Sequence, residues 1–211
     1  MGSCGRQRSS DTSTSHEIDM NTEVELLLID LNSGDDILAE QAVAGLAANE
    51  HEVIPALQEM LISPVVDTRW WAVRCLAQME NPPKSLLMGS LDDVSQEVRQ
   101  CAALALSHHP YDSAIPKLLN LLAEQDSVTT NLAATALIAI GQTTIPGLLE
   151  ILPTLKDGSR IEAFRAIASI ADQRAIPVLM SALEEDSLSI NYWAEEGLTR
   201  LGLDMVYLKP E

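Results

Sequence analysis

Aromatic side chains are scarce in this sequence: one Phe, three Tyr and three Trp make up 3% of 211 residues. Leu, Ala, Ile and Val must therefore supply nearly all the burial, which suits closely packed helices better than a sandwich or a barrel. Cysteine is equally sparse. Cys4, Cys75 and Cys101 are too few and too widely spaced for a disulfide framework or a zinc cage, and a reduced, cytoplasmic setting is expected. Positive charge is short as well: 13 Lys and Arg stand against 31 Asp and Glu, a formal charge of −18. A phosphate backbone would be repelled, so no nucleic-acid partner is expected. No run approaches the roughly 20 apolar residues that span a bilayer, and the N-terminus lacks the apolar block of a secretory signal. A soluble, non-exported chain with no membrane partner is the expectation. Also missing are a Gly-rich phosphate loop, a His-Glu-x-x-His pattern and any cluster with metal-ligand spacing, so no cofactor, metal or catalytic residue is expected.

What the sequence has in abundance is internal repetition. An Ala followed four residues later by Leu or Ile recurs as Ala42/Leu46, Ala72/Leu76, Ala102/Leu106, Ala134/Ile138, Ala163/Ile167 and Ala194/Leu198, at steps of 29 to 32 residues. Upstream lies a second landmark, Ile54-Pro55, Ile115-Pro116, Ile145-Pro146 and Ile176-Pro177, with Pro82-Pro83 in its place in the third repeat. Residues 1–19, rich in Ser, Thr and Gly without apolar periodicity, read as a disordered tail or a cloning remnant. The repeat domain is expected over 20–211, with repeats near 23–50, 54–81, 83–111, 115–144, 145–175 and 176–203, and then a capping segment. Trp193 is expected to close that end with Val206 and Tyr207.

Each unit reads as two antiparallel helices. Proline lacks an amide hydrogen and has φ preset near helical values, so it marks the first turn of helix A. Acidic or Ser-containing turns, Asp92-Asp93, Asp126-Ser127, Asp157-Gly158-Ser159 and Asp186-Ser187, suit the N-terminus of helix B. The small residues of helix B allow close approach, and Gly141 and Gly202 are natural stops. One pair cannot bury both apolar faces, so neighbours must stack. The predicted fold is all-α, a right-handed α-solenoid of about six helix pairs.

This order of Ile-Pro, leucine-rich helix, acidic turn, Arg and Ala-x-x-x-Leu resembles HEAT-like repeats, especially the short-repeat branch named after phycobilisome lyases, over roughly Glu23 to Leu203. The resemblance implies an inter-repeat ladder of turn acids and helix-B arginines. Arg69, Arg99 and Arg160 match it, while Asn131 and Asn191 interrupt it. It also implies that helix B lines the concave surface.

Taking Ala72 as inward at 100° per residue, Cys75 and Leu76 also face inward, and Trp70 and Arg74 face away. The outermost positions then read Trp70, Gln100, Leu132, Ile161 and Tyr192, with Arg74, Leu104, Ala136, Arg165 and Glu196 one turn on. Such residues suit a docking groove; equally, curvature or a register shift of one residue would bury them between repeats. Trp71 is expected to be partly buried. Cys101 and His108-His109 lie about two turns apart on one helix, and Cys101 is read as structural. The function expected is a non-catalytic scaffold or adaptor that binds a protein, through a helix or extended segment, along Trp70, Arg74, Gln100, Leu104, Leu132, Ile161, Arg165, Tyr192 and Glu196. The alternative is a bilin lyase-like or phycobilisome assembly or degradation factor. Oligomeric state and partner identity are not encoded in any motif.

Overall fold

The computed structural model describes residues 12–203, and among these the chain is built of α-helices and short 3₁₀ turns without a strand. The helices are α1 (Thr12–Leu31), α2 (Asp36–Ala48), α3 (Glu50–Met60), α4 (Val66–Gln78), α5 (Lys84–Ser90), α6 (Gln96–His108), α7 (Ile115–Leu122), α8 (Ser127–Ile140), α9 (Ile145–Ile151), α10 (Asp157–Ile170), α11 (Ile176–Ala182) and α12 (Leu188–Arg200). Each even-numbered helix packs on the odd-numbered helix before it and on the next even-numbered one. The result is an α-solenoid with a continuous row of B helices, α2 to α12.

The local chemistry follows the sequence. In the last three repeats a 3₁₀ turn leads into Ile-Pro at the start of α7, α9 and α11, where the missing amide of Pro116, Pro146 and Pro177 leaves no helical bond unmade. The second repeat differs, because Pro55 lies inside α3. There α2 ends at Ala48 and α3 starts at Glu50, so the link is too short for a 3₁₀ turn and the helix begins upstream of its proline. Asp126 caps α8 by accepting from the Thr129 amide at 2.7 Å, and Ser187 does the same for Ile190 in α12. Gly141 and Gly202 close their helices at φ 91° and 77°, a backbone region that costs glycine little.

Helix α1 begins at Thr12, inside the segment read as an unstructured tail; residues 1–11, Val206 and Tyr207 lie outside the described residues. Once Val24, Leu27, Leu28 and Leu31 pack on the core, helix propagation into a polar stretch is far easier than its nucleation.

The repeated alanines are all buried, but in the fourth repeat the partner changes. Ile138 is only half-buried while Leu137 is fully enclosed, so the pair in the core register is Ala133/Leu137. This one-residue correction makes the repeat steps 31 and 30 instead of 32 and 29. It also turns Asn131 and Thr135 to the outermost positions, leaves Leu132 half-buried and puts Ala136 in the core.

The corrected register exposes the rule behind the ladder. Arginine three residues before the anchor alanine reaches an acid nine residues before the next anchor. Arg69 donates to both carboxylate oxygens of Asp93 at 2.7 Å, Arg99 to Glu124 at 3.0 Å, and Arg160 to Glu185 at 2.5 and 2.6 Å. Arg69 and Arg99 also donate to the carbonyls of Ser63 and Asp93, tying each turn to its own helix B. Where the arginine is missing its acid is missing too: Ala39 faces the turn of Ser63, and Thr130, not Asn131, is the rung opposite Thr154. At that second gap a cleft of about 520 Å³ opens, lined by Glu124, Thr130, Thr154, Lys156 and Ser159 among others.

Candidate functional site

Helix B positions one cleft of about 550 Å³ without help from the A helices. Trp70, Arg74, Ala77 and Gln78 come from α4; Glu97, Gln100, Cys101, Leu104, Ala105 and His108 from α6; and Leu132 from α8. Its floor is apolar because the small Ala77 and Ala105 let α4 and α6 approach, while the bulkier Trp70, Leu104 and Leu132 stand as walls. Trp70 is braced by Trp71, the two rings meeting edge to face with centroids 4.8 Å apart at 87°. Leu104 is 47% exposed at the rim.

The polar groups around the cleft are held in place. Arg74 donates to Glu40 at 2.5 Å, which anchors the guanidinium across the gap between α2 and α4. Gln100 gives its amide to Asp126 and Thr129, both at 3.0 Å, joining α6 to the cap of α8. His109, next to the exposed His108, turns away and its Nε2 meets the Ala77 carbonyl at 3.1 Å. Burial pushes the Cys101 thiol up to about 11 despite nearby Arg74, and the Cys75 thiol up to about 12. Near neutral pH neither sulfur is a thiolate, so neither is an activated nucleophile.

Of the nine residues singled out in sequence, the structure brings Trp70, Arg74, Gln100, Leu104 and Leu132 together in this cleft. It does not bring in the other four. Ile161 is half-buried, and Tyr192 is 58% exposed against Trp193, itself half-buried. Arg165 donates to Glu162 at 2.6 Å and to Asn131 and Thr135 at 3.1 Å, while Glu196 accepts from Arg200 at 2.7 Å. A polar network therefore divides the strip that the sequence reading took as continuous, and the cause is the register of α8. Sequence reasoning missed Glu97 and His108 as lining residues. The seven-residue spacing of Cys101 and His108, two helical turns on one face, was the available signal.

The general model for HEAT repeats matches residues 24–107 and 63–138, more than half of the chain. The chain belongs to the HEAT-repeat family. The model for the PBS lyase HEAT-like repeat matches residues 159–185. Among curated proteins, a phycobilisome maturation protein of Synechococcus elongatus is 38% identical over 47% of this HEAT-repeat chain and 49% of its own length. The phycocyanobilin lyase subunit beta of a Nostoc species is 33% identical over 42% and 45%, and the bilin biosynthesis protein RpcF of a Synechococcus species 36% over 43% and 44%. The chain thus spans about half the length of the curated relatives it matches. Among solved structures, an engineered protein is 26% identical with a TM-score of 0.54, covering 87% of this chain and 98% of that one. A designed armadillo repeat protein solved with the peptide (KR)4 shares 20% identity with a TM-score of 0.52 over 86% and 98%, a likeness of fold.

These relatives overturn the expectation that the chain is not an enzyme, since a lyase subunit and a bilin biosynthesis protein stand among them. They also favour the alternative reading over a generic scaffold. The sequence reading went wrong by requiring a catalytic motif, whereas a helical-repeat protein can act on a substrate through an apolar cleft with few fixed polar groups. No single helix among the described residues is long and apolar enough to cross a membrane.

Proposed function

We propose that this HEAT-repeat protein is a bilin lyase-type or phycobilisome maturation factor, which holds a linear tetrapyrrole in the α4–α6–α8 cleft while it engages a phycobiliprotein. The observation that carries the reading is that relatives 33–38% identical bear phycobilisome or bilin names. The cleft fits the chemistry. Its volume of about 550 Å³ lies in the usual range for small-molecule sites. A flat conjugated chain suits Trp70, Leu104 and Leu132, and its propionates suit Arg74 and His108 at the rim. With the Cys101 thiol held neutral, storing the bilin as a thioether on this residue is disfavoured near neutral pH. Ile161, Arg165, Tyr192 and Glu196, further along the helix-B row, are proposed to meet the protein partner.

The test is to mix the purified chain with free phycocyanobilin and record the visible absorption band, then repeat with Trp70→Ala and Leu132→Ala. Association is expected with a shifted, sharpened band. Each variant should lose about tenfold or more in affinity, as truncation of an anchoring side chain in a well-packed pocket does. Trp70→Ala should also keep most of its stability, because Trp70 is half-buried on an outer face. No spectral change at any bilin concentration, or equal binding by both variants, would remove the cleft from the mechanism.

A further inference from the structure

On the far side of Trp70 from the cleft's Leu132 wall, where α2 packs beside α4, lies a separate hollow of about 500 Å³ lined by Asp36, Glu40, Asp67, Trp70 and Trp71. A smaller one of about 430 Å³ adjoins it, lined by Val66, Asp67, Trp70 and Glu97. We propose that this niche binds an organic cation: the guanidinium or ammonium head of an arginine or lysine side chain presented by a partner protein. The inference does not rest on the bilin reading of the neighbouring cleft.

Three observations converge. First, Trp70 and Trp71 both line the hollow, their rings nearly perpendicular with centroids 4.8 Å apart at 87°. The face of an indole is the best aromatic partner for a cation, and a planar guanidinium can stack on it while its edge points elsewhere. Second, carboxylates surround the rings. Glu40 is already engaged by Arg74 at 2.5 Å and Glu97 accepts from the Ser95 hydroxyl at 2.6 Å, but Asp36 and Asp67 have no side-chain partner among the described residues. Both are exposed and sit in the first turns of α2 and α4, where the helix N-terminus stabilises them and leaves their outer oxygens free to accept. Third, Arg74 is committed to Glu40 and lines the other cleft. Trp70 thus lines both the cleft, which holds Arg74, His108 and also Glu97, and a hollow ringed by Asp36, Glu40 and Asp67. The acidic side would repel the carboxylates of a bilin and attract a basic side chain, in keeping with the charge of −18 carried by the chain as a whole.

The experiment uses the full chain, labelled with nitrogen-15, and follows the three indole N–H signals of Trp70, Trp71 and Trp193. It is titrated with Nα-acetyl-arginine amide, with Nα-acetyl-lysine amide, and with Nα-acetyl-citrulline amide, which keeps the shape of arginine without its charge. Saturable shifts of the Trp70 and Trp71 signals are expected with the two cations, weak in absolute terms and weaker still in salt, with no saturable shift from citrulline. Asp67→Asn should weaken arginine binding by about fivefold, the scale of one exposed ion pair. Asp36→Asn gives a second measurement on a different helix. The proposal is overturned if citrulline matches arginine, if Trp193 shifts as much as Trp70 and Trp71, or if neither Asp variant weakens binding. Because bilin is absent from the titration, failure here leaves the cleft's own test untouched, and failure there leaves this one.

Discussion

Replacing Arg69 with methionine should destabilise the protein by about 2–3 kcal/mol, although the substitution keeps an unbranched apolar stem. Arg69 is 8% exposed and its guanidinium makes three hydrogen bonds, two to Asp93 at 2.7 Å and one to the Ser63 carbonyl at 2.9 Å. Removing one partner of a buried ion pair costs about 3–5 kcal/mol because the other charge is left uncompensated. Here Asp93 keeps the Ser95 amide at 2.8 Å and the field of Arg99, which brings the expected cost to or just below the lower end of that range. For a chain of this size the loss corresponds to a fall in Tm of roughly 5–10 °C. In a solenoid the damage is local first, so amide exchange should quicken in α4 and α6 before the remote α12. The pH dependence is a further check. Hydrogen bonding from Arg69 holds the Asp93 carboxyl below its ordinary value of 3.8, so its stabilisation is present above the unfolded carboxylate pKa and is lost as pH falls through the lower folded value. The gap in stability between wild type and Arg69→Met should therefore narrow in acid. A difference under about 0.5 kcal/mol at neutral pH, the size expected of a surface substitution, would refute the claim that this rung joins the repeats.

The missing rung allows the converse experiment. Thr130→Arg combined with Thr154→Glu should fill the cleft of about 520 Å³ at the turn edge and raise stability by roughly 0.5–1 kcal/mol, with Thr130→Arg alone neutral or destabilising because its charge would lack the acid. Equal melting temperatures for the single and double variants would show that the spacing rule does not transfer. The thiols give another check: with pKa values pushed up to about 11 and 12, Cys101 and Cys75 should resist alkylation at pH 8 in the native protein and react at ordinary rates in urea. Fast labelling of Cys101 in the folded chain, read by mass spectrometry of its peptide, would put a thiolate back in the cleft.

The architecture was legible because three independent signals shared one period. Ile-Pro marks an entry, Asp or Ser marks a cap and Ala-x-x-x-Leu marks a buried seam, and each has its own physical cause. The site was legible only in part. An anchor alanine has little to distinguish it from an adjacent alanine, and in α8 the run Ala133-Ala134 offered both choices; helical spacing alone does not decide between Leu137 and Ile138 as the buried partner. The ladder could have decided. Glu124 stands nine residues before Ala133, as Asp93 does before Ala102 and Glu185 before Ala194, and that shared offset would have placed Asn131 outside and Leu132 at the wall.

The Trp70 niche lay beyond such reasoning for a different reason. Asp36 and Asp67 are separated by one whole repeat, and each by itself reads as a negative charge in the first turn of its helix. Only the packing of α2 on α4 brings them to the same pair of indoles. Periodicity assigns a residue to a face of its own helix, whereas a site between two repeats depends on the offset between them, and that offset is set by buried contacts such as Ala42, Val43 and Ala72. A variant that shifts the offset without touching either site, such as Ala72→Leu, should thus disturb both the cleft and the niche, while Asp67→Asn should disturb the niche alone.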